Sequence, residues 1–264
     1  MPSAAIHVGI GGWDYDPWRG TFYPKGLPKA KQLEFAGAHL TATEINATHY
    51  RLQRPDLFRR WADAVPDGFK FAVKASRFCT NRKLLAEGGE AIANFCGQGL
   101  TELGSKLGPI LWQFMPHKAF EPDDFGAFLK LLPARQDGLS LQHALEVRHE
   151  SFKDPRFIAM ARDAGAAIVF ADSDEHPQIA DLTADFVYAR LQRCREDVAT
   201  GYDDKALDRW NGIARSWAAG ERPDGLDYVT TEGAPARPRE TYVFFIAGAK
   251  VRAPAAAQAL IERL

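Results

Sequence analysis

Eight short runs rich in Val, Ile and Phe recur about every 25 to 40 residues, and most of the stretches between them read better as helix than as strand. The runs lie at 6–10, 42–46, 70–75, 108–114, 144–148, 167–172, 186–192 and 242–247. Strands that alternate with helices favour a parallel sheet covered on its outside. Eight such repeats within 264 residues favour closure over an open sheet. The expected fold is therefore α/β, a (β/α)8 TIM-like barrel spanning 1–264 as one domain, with some irregularity around strands seven and eight.

The connecting segments carry matching signals. Pro55-Asp56 opens a segment with Leu57, Phe58 and Trp61 on one face, and Pro66-Asp67-Gly68 closes it. Pro122-Asp123-Asp124 opens another with Phe125, Phe128 and Leu129, and Asp154-Pro155 a third that stops at Gly165. From Asp203 to Ala219, Leu207, Trp210, Ile213 and Trp217 recur at helical spacing as a core stripe. Between Leu226 and Glu240, the glycine and prolines read as an irregular loop.

Composition narrows the functional classes. The 33 basic and 34 acidic side chains nearly cancel, so no global field holds the chain on nucleic acid or an anionic membrane, although a local basic site remains possible. No run approaches about 18 apolar residues, and Met1-Pro2-Ser3-Ala4-Ala5 lacks the features of a secretion signal, so the expectation is a cytoplasmic protein with no membrane partner. Cys79, Cys96 and Cys194 are too few and too scattered for a disulfide framework or a metal clip. Cys79 does sit beside Arg77 and Arg82, where a thiolate could be stabilised.

The informative feature is where the polar groups fall. Near its C-terminal end, run after run reaches a charged or amide side chain that would be costly to bury. These are Glu44 and Asn46, Lys74, Gln113, Glu146 with Arg148 and His149, Asp172, and Arg190 with Gln192. Strand alternation puts Glu44 with Asn46, Glu146 with Arg148, and Arg190 with Gln192 on common faces. In a closed barrel they would gather into a polar cup at the C-terminal mouth, where barrel enzymes carry their chemistry. The competing interpretation is mutual neutralisation of Glu44, Glu146 and Asp172 by Lys74, Arg148 and Arg190.

Other patterns say less. Gly9-Ile10-Gly11-Gly12 lacks the third glycine of a dinucleotide fingerprint and leads into Trp13-Asp14-Tyr15 rather than a helix, which suggests a sharp turn that sets Trp13 and Tyr15 over the mouth. His149 with Glu146, and His49, Asp172 and His176 near other strand ends, could supply metal ligands, but the spacing is not diagnostic. Arg51, Arg77, Arg148, Arg190, Arg193 and Arg195 lie beside Trp13, Tyr15, Trp18, Tyr50 and Trp112, a mixture suited to an anionic or aromatic ligand.

Several ordered motifs give the chain its resemblance to the YecE-like family, a bacterial and archaeal group of unknown function. They are Gly9-Ile10-Gly11-Gly12-Trp13-Asp14-Tyr15, Phe22-Tyr23-Pro24, Glu44-Ile45-Asn46-Ala47-Thr48-His49-Tyr50-Arg51, Phe69 to Ala75, Leu107 to Phe114, and Glu146-Val147-Arg148-His149-Glu150-Ser151-Phe152. The resemblance implies a TIM-like barrel with an open polar mouth and no established reaction. Mouth residues of the family map onto Glu44, Asn46, Tyr50, Lys74, Gln113, Glu146, Arg148, His149, Asp172 and Arg190. The chain departs from the family where His-Gly usually follows the seventh-strand arginine, since it reads Gln192-Arg193, and where an asparagine usually ends the last strand, since it reads Ile246-Ala247. These departures would alter or remove an activity that needed the histidine.

The expected function is an enzyme, or former enzyme, of hydrolase or isomerase type that binds a small anionic or polar ligand. Glu44 and Glu146 would transfer protons, with His149 as the alternative acid or base. Lys74, Arg148 and Arg190 would hold negative charge, Asn46 and Gln113 would orient the ligand, and Trp13, Tyr15, Tyr50 and Asp172 would complete the cup. A nucleic-acid or nucleotide binding protein and a metal-dependent phosphoesterase or isomerase are the alternatives. The residues specify no cofactor.

Overall fold

The computed structural model describes residues 4–264, so the first three residues of the N-terminal segment read above lie outside the described residues. Eight parallel strands close into a barrel: β1 (Ile6–Gly11), β2 (Ala42–Ile45), β3 (Lys70–Lys74), β4 (Leu107–Gln113), β5 (His143–Glu146), β6 (Ala167–Asp172), β7 (Phe186–Leu191) and β8 (Glu240–Phe245). Each pairs with the next, and β8 closes on β1 with Ile6 opposite Thr241 and Ile10 opposite Phe245. The TIM-like barrel expected from the strand rhythm is the observed fold.

Parallel strands buried on both faces build two apolar layers. Between sheet and helices lies the larger one, which takes Val8, Ile10, Phe71, Val73, Trp112, Ile168 and Phe170. Inside the barrel, Ala42, Ala72 and Ala144 face the bulky Phe186, Tyr188, Tyr242 and Phe244 of β7 and β8. Large rings from one wall thus fill the space that small residues leave on the other. At Gly9 the strands approach so closely that a Cβ would lie 2.0 Å from the Ala42 carbonyl oxygen, so only glycine fits there.

The helices begin where the sequence signals put them. Pro55–Asp63, Pro122–Leu131 and Pro155–Asp163 each start on proline, and Asp203 caps Asp204–Ala219 by accepting the Ala206 N–H at 2.8 Å. A small hairpin, Arg135–Gln136 with Leu139–Ser140, turns through Asp137 and Gly138, both at positive φ. The irregular segment before β8 is tied down by Asp181, which accepts the N–H groups of Val229 and Thr230, and by the buried Arg239, which donates to the carbonyls of Ala184 and Pro235.

At the N-terminal end the barrel is plugged by charge. His7 Nε2 donates to Glu240 Oε1 at 2.9 Å and its ring stacks on Tyr242, while Lys70 Nζ lies 3.7 Å from the same oxygen. Burial pushes the Glu240 carboxyl up, but the His7 hydrogen bond and the Lys70 charge outweigh it and hold it at about 2. No helix among the described residues is long and apolar enough to cross a membrane.

Candidate functional site

Strand alternation brings Glu44, Lys74, Gln113, Glu146 and Arg190 to the inner wall at the C-terminal end of the barrel, one layer above the apolar filling. Arg190 is the hub. Its Nε donates to Glu44 Oε1 at 2.9 Å, its Nη2 to Glu44 Oε2 at 3.0 Å, and its Nη1 to Glu146 Oε2. The Tyr188 hydroxyl, two residues earlier on the same face, donates to Glu44 Oε1 at 2.8 Å. Gln113 Nε2 donates to Glu146 Oε2 at 2.8 Å, and Arg148 curls back from just beyond β5 to give its Nε and Nη2 to Glu146 Oε1 at 3.0 and 2.8 Å. Glu44 and Glu146 are fully buried, and donors occupy both oxygens of each.

These bonds fix the electrostatics. Burial pushes the Glu146 carboxyl up, but Arg190 and then Arg148 overcome it and hold it at about 2. Glu146 therefore stays an anion near neutral pH and anchors two guanidinium groups, which does not fit the proton-transfer part expected for it. Lys74 is the opposite case. It is half-buried, and among the described residues its Nζ forms no hydrogen bond or ion pair. Burial first, then the neighbouring Arg190, bring its ammonium down to about 8.

Three groups add to the cup. His49, just past β2, donates its Nδ1–H to the Ala75 carbonyl at 2.9 Å, which leaves Nε2 bare as an acceptor. Burial lowers its pKa, the carbonyl bond opposes this, and the charges of Lys74, Arg77 and Arg148 lower it further. Lys250, beyond β8, sits 4.5 Å from the Tyr15 ring centre and 5.4 Å from that of Trp18, within electrostatic reach of Glu44. The Gln192 Nε2 is buried with no acceptor in the protein. At Gly11 a Cβ would lie 2.8 Å from Ile246 Cδ1, 3.4 Å from Asn46 Nδ2 and 3.8 Å from Glu44 Oε2, so glycine lets Ile246 and Asn46 pack close to Glu44.

Other expected members lie elsewhere. On β6, Ala171 pairs with the inward Arg190 and Asp172 with the outward Leu191, so Asp172 points away from the mouth and meets Arg193 Nη1 at 3.3 Å. Trp13 turns outward after Gly12, whose φ is +77°, and packs edge-on against Trp61 and Phe71. His149 accepts the Ser151 N–H on its Nδ1 and caps the turn Glu150–Phe152. Trp18 and Trp112 are buried in the outer layer. Tyr50 stands at the rim, 64% exposed, its ring edge-on to His49. The Cys79 thiol is buried and pushed up to about 12, mainly by desolvation, so it is not the thiolate its arginine neighbours suggested.

Sequence reasoning missed Tyr188 and Lys250 and named His49 only as a conceivable metal ligand. Alternation from Arg190 could have found Tyr188, whereas Lys250 follows the last strand and belongs to no periodic pattern. Among the described residues, no three His, Cys, Asp or Glu side chains converge as a metal-ligating group. The donor set imagined from His49, Glu146, His149 and Asp172 is therefore dispersed.

An eight-stranded parallel barrel with a buried Glu–Arg–Glu relay below a cationic cup is the class of protein this fold and site define: a TIM barrel with its ionisable groups at the C-terminal mouth. More particularly, the chain belongs to the DUF72 family, described as a protein of unknown function, whose model matches residues 7–264. It is 26% identical over 158 residues to the UPF0759 protein YunF of Bacillus subtilis, which covers 58% of this chain and 54% of that protein. To the UPF0759 protein YecE of Escherichia coli K12 it is 25% identical over 150 residues, 56% of this chain and 50% of that one. The chain thus spans about half the length of the curated relatives it matches. A crystal structure of a DUF72 family protein from Thermotoga maritima superposes with a TM-score of 0.73 at 20% identity, covering 98% of both chains. The family and barrel implied by the YecE-like motifs are the ones found.

Proposed function

We propose that this protein is an enzyme of hydrolase or isomerase type that takes a small anionic or polar ligand into the mouth of its barrel. The observation that carries this reading is the surplus of uncommitted donors. With Asp172 outside the cup, two carboxylates face Lys74, Arg148, Arg190 and, at the rim, Lys250, and donors from Tyr188, Gln113, Arg148 and Arg190 already occupy both oxygens of each. Lys74 Nζ and Gln192 Nε2 have no acceptor, and the Asn46 amide packs close to Gly11 at the end of β1. Donors of this kind in a partly dry site favour a negatively charged ligand or transition state.

The roles follow from the environments. Glu44 and Glu146 position the guanidinium groups. Lys74, brought down to about 8, and His49, with a bare Nε2, are the groups able to move protons near neutral pH. Calorimetric titration with phosphate, sulfate and small dicarboxylates, each matched with a neutral analogue, tests the binding. Anions should bind, and Arg148→Met should weaken them about tenfold. Binding of neutral analogues alone would overturn the reading.

One observation favours a second ligand class, a nucleotide or single nucleic-acid strand. Beside the mouth, Tyr50 and Phe78 are 64% and 59% exposed, and a groove of about 400 Å³ next to Phe78 is lined by Arg51, Leu52 and Arg82 together with Glu87 and Glu90. Exposed rings among arginines suit base stacking and phosphate contact. Anisotropy titration with a single-stranded oligonucleotide should then give an affinity that falls steeply with salt, and an absence of binding at low salt would remove this alternative.

A further inference from the structure

The geometry points to Lys74 as a covalent site: we propose that its amine condenses with the carbonyl group of a small anionic aldehyde or ketone held in the mouth, forming an imine. The inference rests on the anion-binding reading above and adds the chemical class of the ligand.

A lysine buried near carboxylates ordinarily ends on one of them. Lys74 does not, while donors from other strands hold both oxygens of each carboxylate. Glu44 receives Tyr188 and both Nε and Nη2 of Arg190, while Glu146 receives Arg148, Gln113 and Nη1 of Arg190. The amine is left on the inner wall among guanidinium groups, where its charged form is disfavoured. At about 8, roughly a tenth of it is free amine at pH 7, about 300-fold more than for a lysine at the ordinary 10.5. Lys250, the other lysine of the cup, lies over the rings of Tyr15 and Trp18 instead.

The step balances without a further reactant. The amine lone pair attacks the carbonyl carbon, the C=O π pair moves to oxygen, and a proton passes from nitrogen to oxygen to give a carbinolamine. A proton taken from solvent by the carbinolamine hydroxyl lets it leave as water, and the nitrogen lone pair closes a protonated C=N bond, which draws electrons from an adjacent C–H bond. His49 Nε2 is the acceptor available for the C–H proton, because its Nδ1–H is committed to Ala75. Arg148 and Asn46 remain to hold the ligand's negative charge.

Pyridoxal 5′-phosphate supplies an anion and an aldehyde in one probe. Reduction of the mixture with borohydride, followed by peptide mapping of the wild-type protein, should place the adduct first on Lys74, with a rate that rises with pH around a midpoint near 8. Lys74→Arg should abolish that adduct while Lys205→Arg, at an exposed lysine outside the cup, keeps it. Pyridoxine 5′-phosphate, the same anion without the aldehyde, should slow labelling about tenfold. Labelling spread over the exposed Lys25, Lys83 and Lys205 with no preference for Lys74, while pyridoxine 5′-phosphate still binds, would overturn the covalent step alone. No binding of either compound would overturn the anion-binding reading as well. The map on the wild-type protein decides the matter even where a variant fails to fold.

Discussion

Arg190→Met is the substitution to which the site should respond most. The guanidinium links two carboxylates that have no solvent exposure, and Met removes the charge while keeping an unbranched apolar chain in the space. Glu146 would keep Arg148 and Gln113, but Glu44 would keep only the Tyr188 hydroxyl. The loss therefore centres on Glu44, and stripping one partner from a buried ion pair costs about 3–5 kcal/mol. Against a total stability of about 5–15 kcal/mol for a domain, that is a large fraction. Urea unfolding near pH 7, followed by tryptophan fluorescence, reads that loss directly, and adding Glu44→Gln to the variant should restore about 2 kcal/mol, because an uncharged amide is cheaper to leave without its arginine. A loss below about 1 kcal/mol, or no recovery with Glu44→Gln, would refute the reasoning.

Three further outcomes are expected. Glu240 is also held at about 2, so its contribution is complete above about 4.5 and is lost as pH falls towards 2; Glu240→Gln should flatten the acid limb of a stability profile, and an unchanged limb would contradict the His7–Glu240–Lys70 plug. Ala247 has φ +63°, a conformation that costs an L-residue about 1 kcal/mol, so Ala247→Gly should raise Tm by about 2–4 °C, and a drop in Tm would show that the strain is not there. Asp172→Asn should leave anion affinity unchanged, because the side chain faces Arg193 on the outside of the barrel; a tenfold loss would return Asp172 to the cup.

Most of the fold could be read from the chain because parallel strands make continuous apolar runs and Pro-Asp pairs mark helix starts. The ends were less sharp: β5 stops at Glu146, so Arg148 reaches the site from beyond the strand, and β8 runs Glu240–Phe245 rather than 242–247. Facing was legible only where a polar pair gave the phase. Glu44 with Asn46 and Arg190 with Gln192 show it, whereas 167–172 is apolar on both faces until Asp172, so nothing in Ala-Ile-Val-Phe-Ala-Asp says which side that carboxylate takes. Trp13 followed the left-handed turn at Gly12, which the glycine permits without giving its direction. The unpartnered state of Lys74 was not legible at all, since it depends on how Arg190 and Arg148 divide two carboxylates contributed by separate strands.

The cationic cup is tested most directly by crystals soaked in selenate, an anion that its anomalous scattering locates without ambiguity. Anomalous density within hydrogen-bond distance of Lys74 Nζ and the Arg148 guanidinium is the expected result. Selenate confined to arginines on the outer surface, with the mouth holding a cation or a neutral molecule on Glu44 and Glu146, would contradict it.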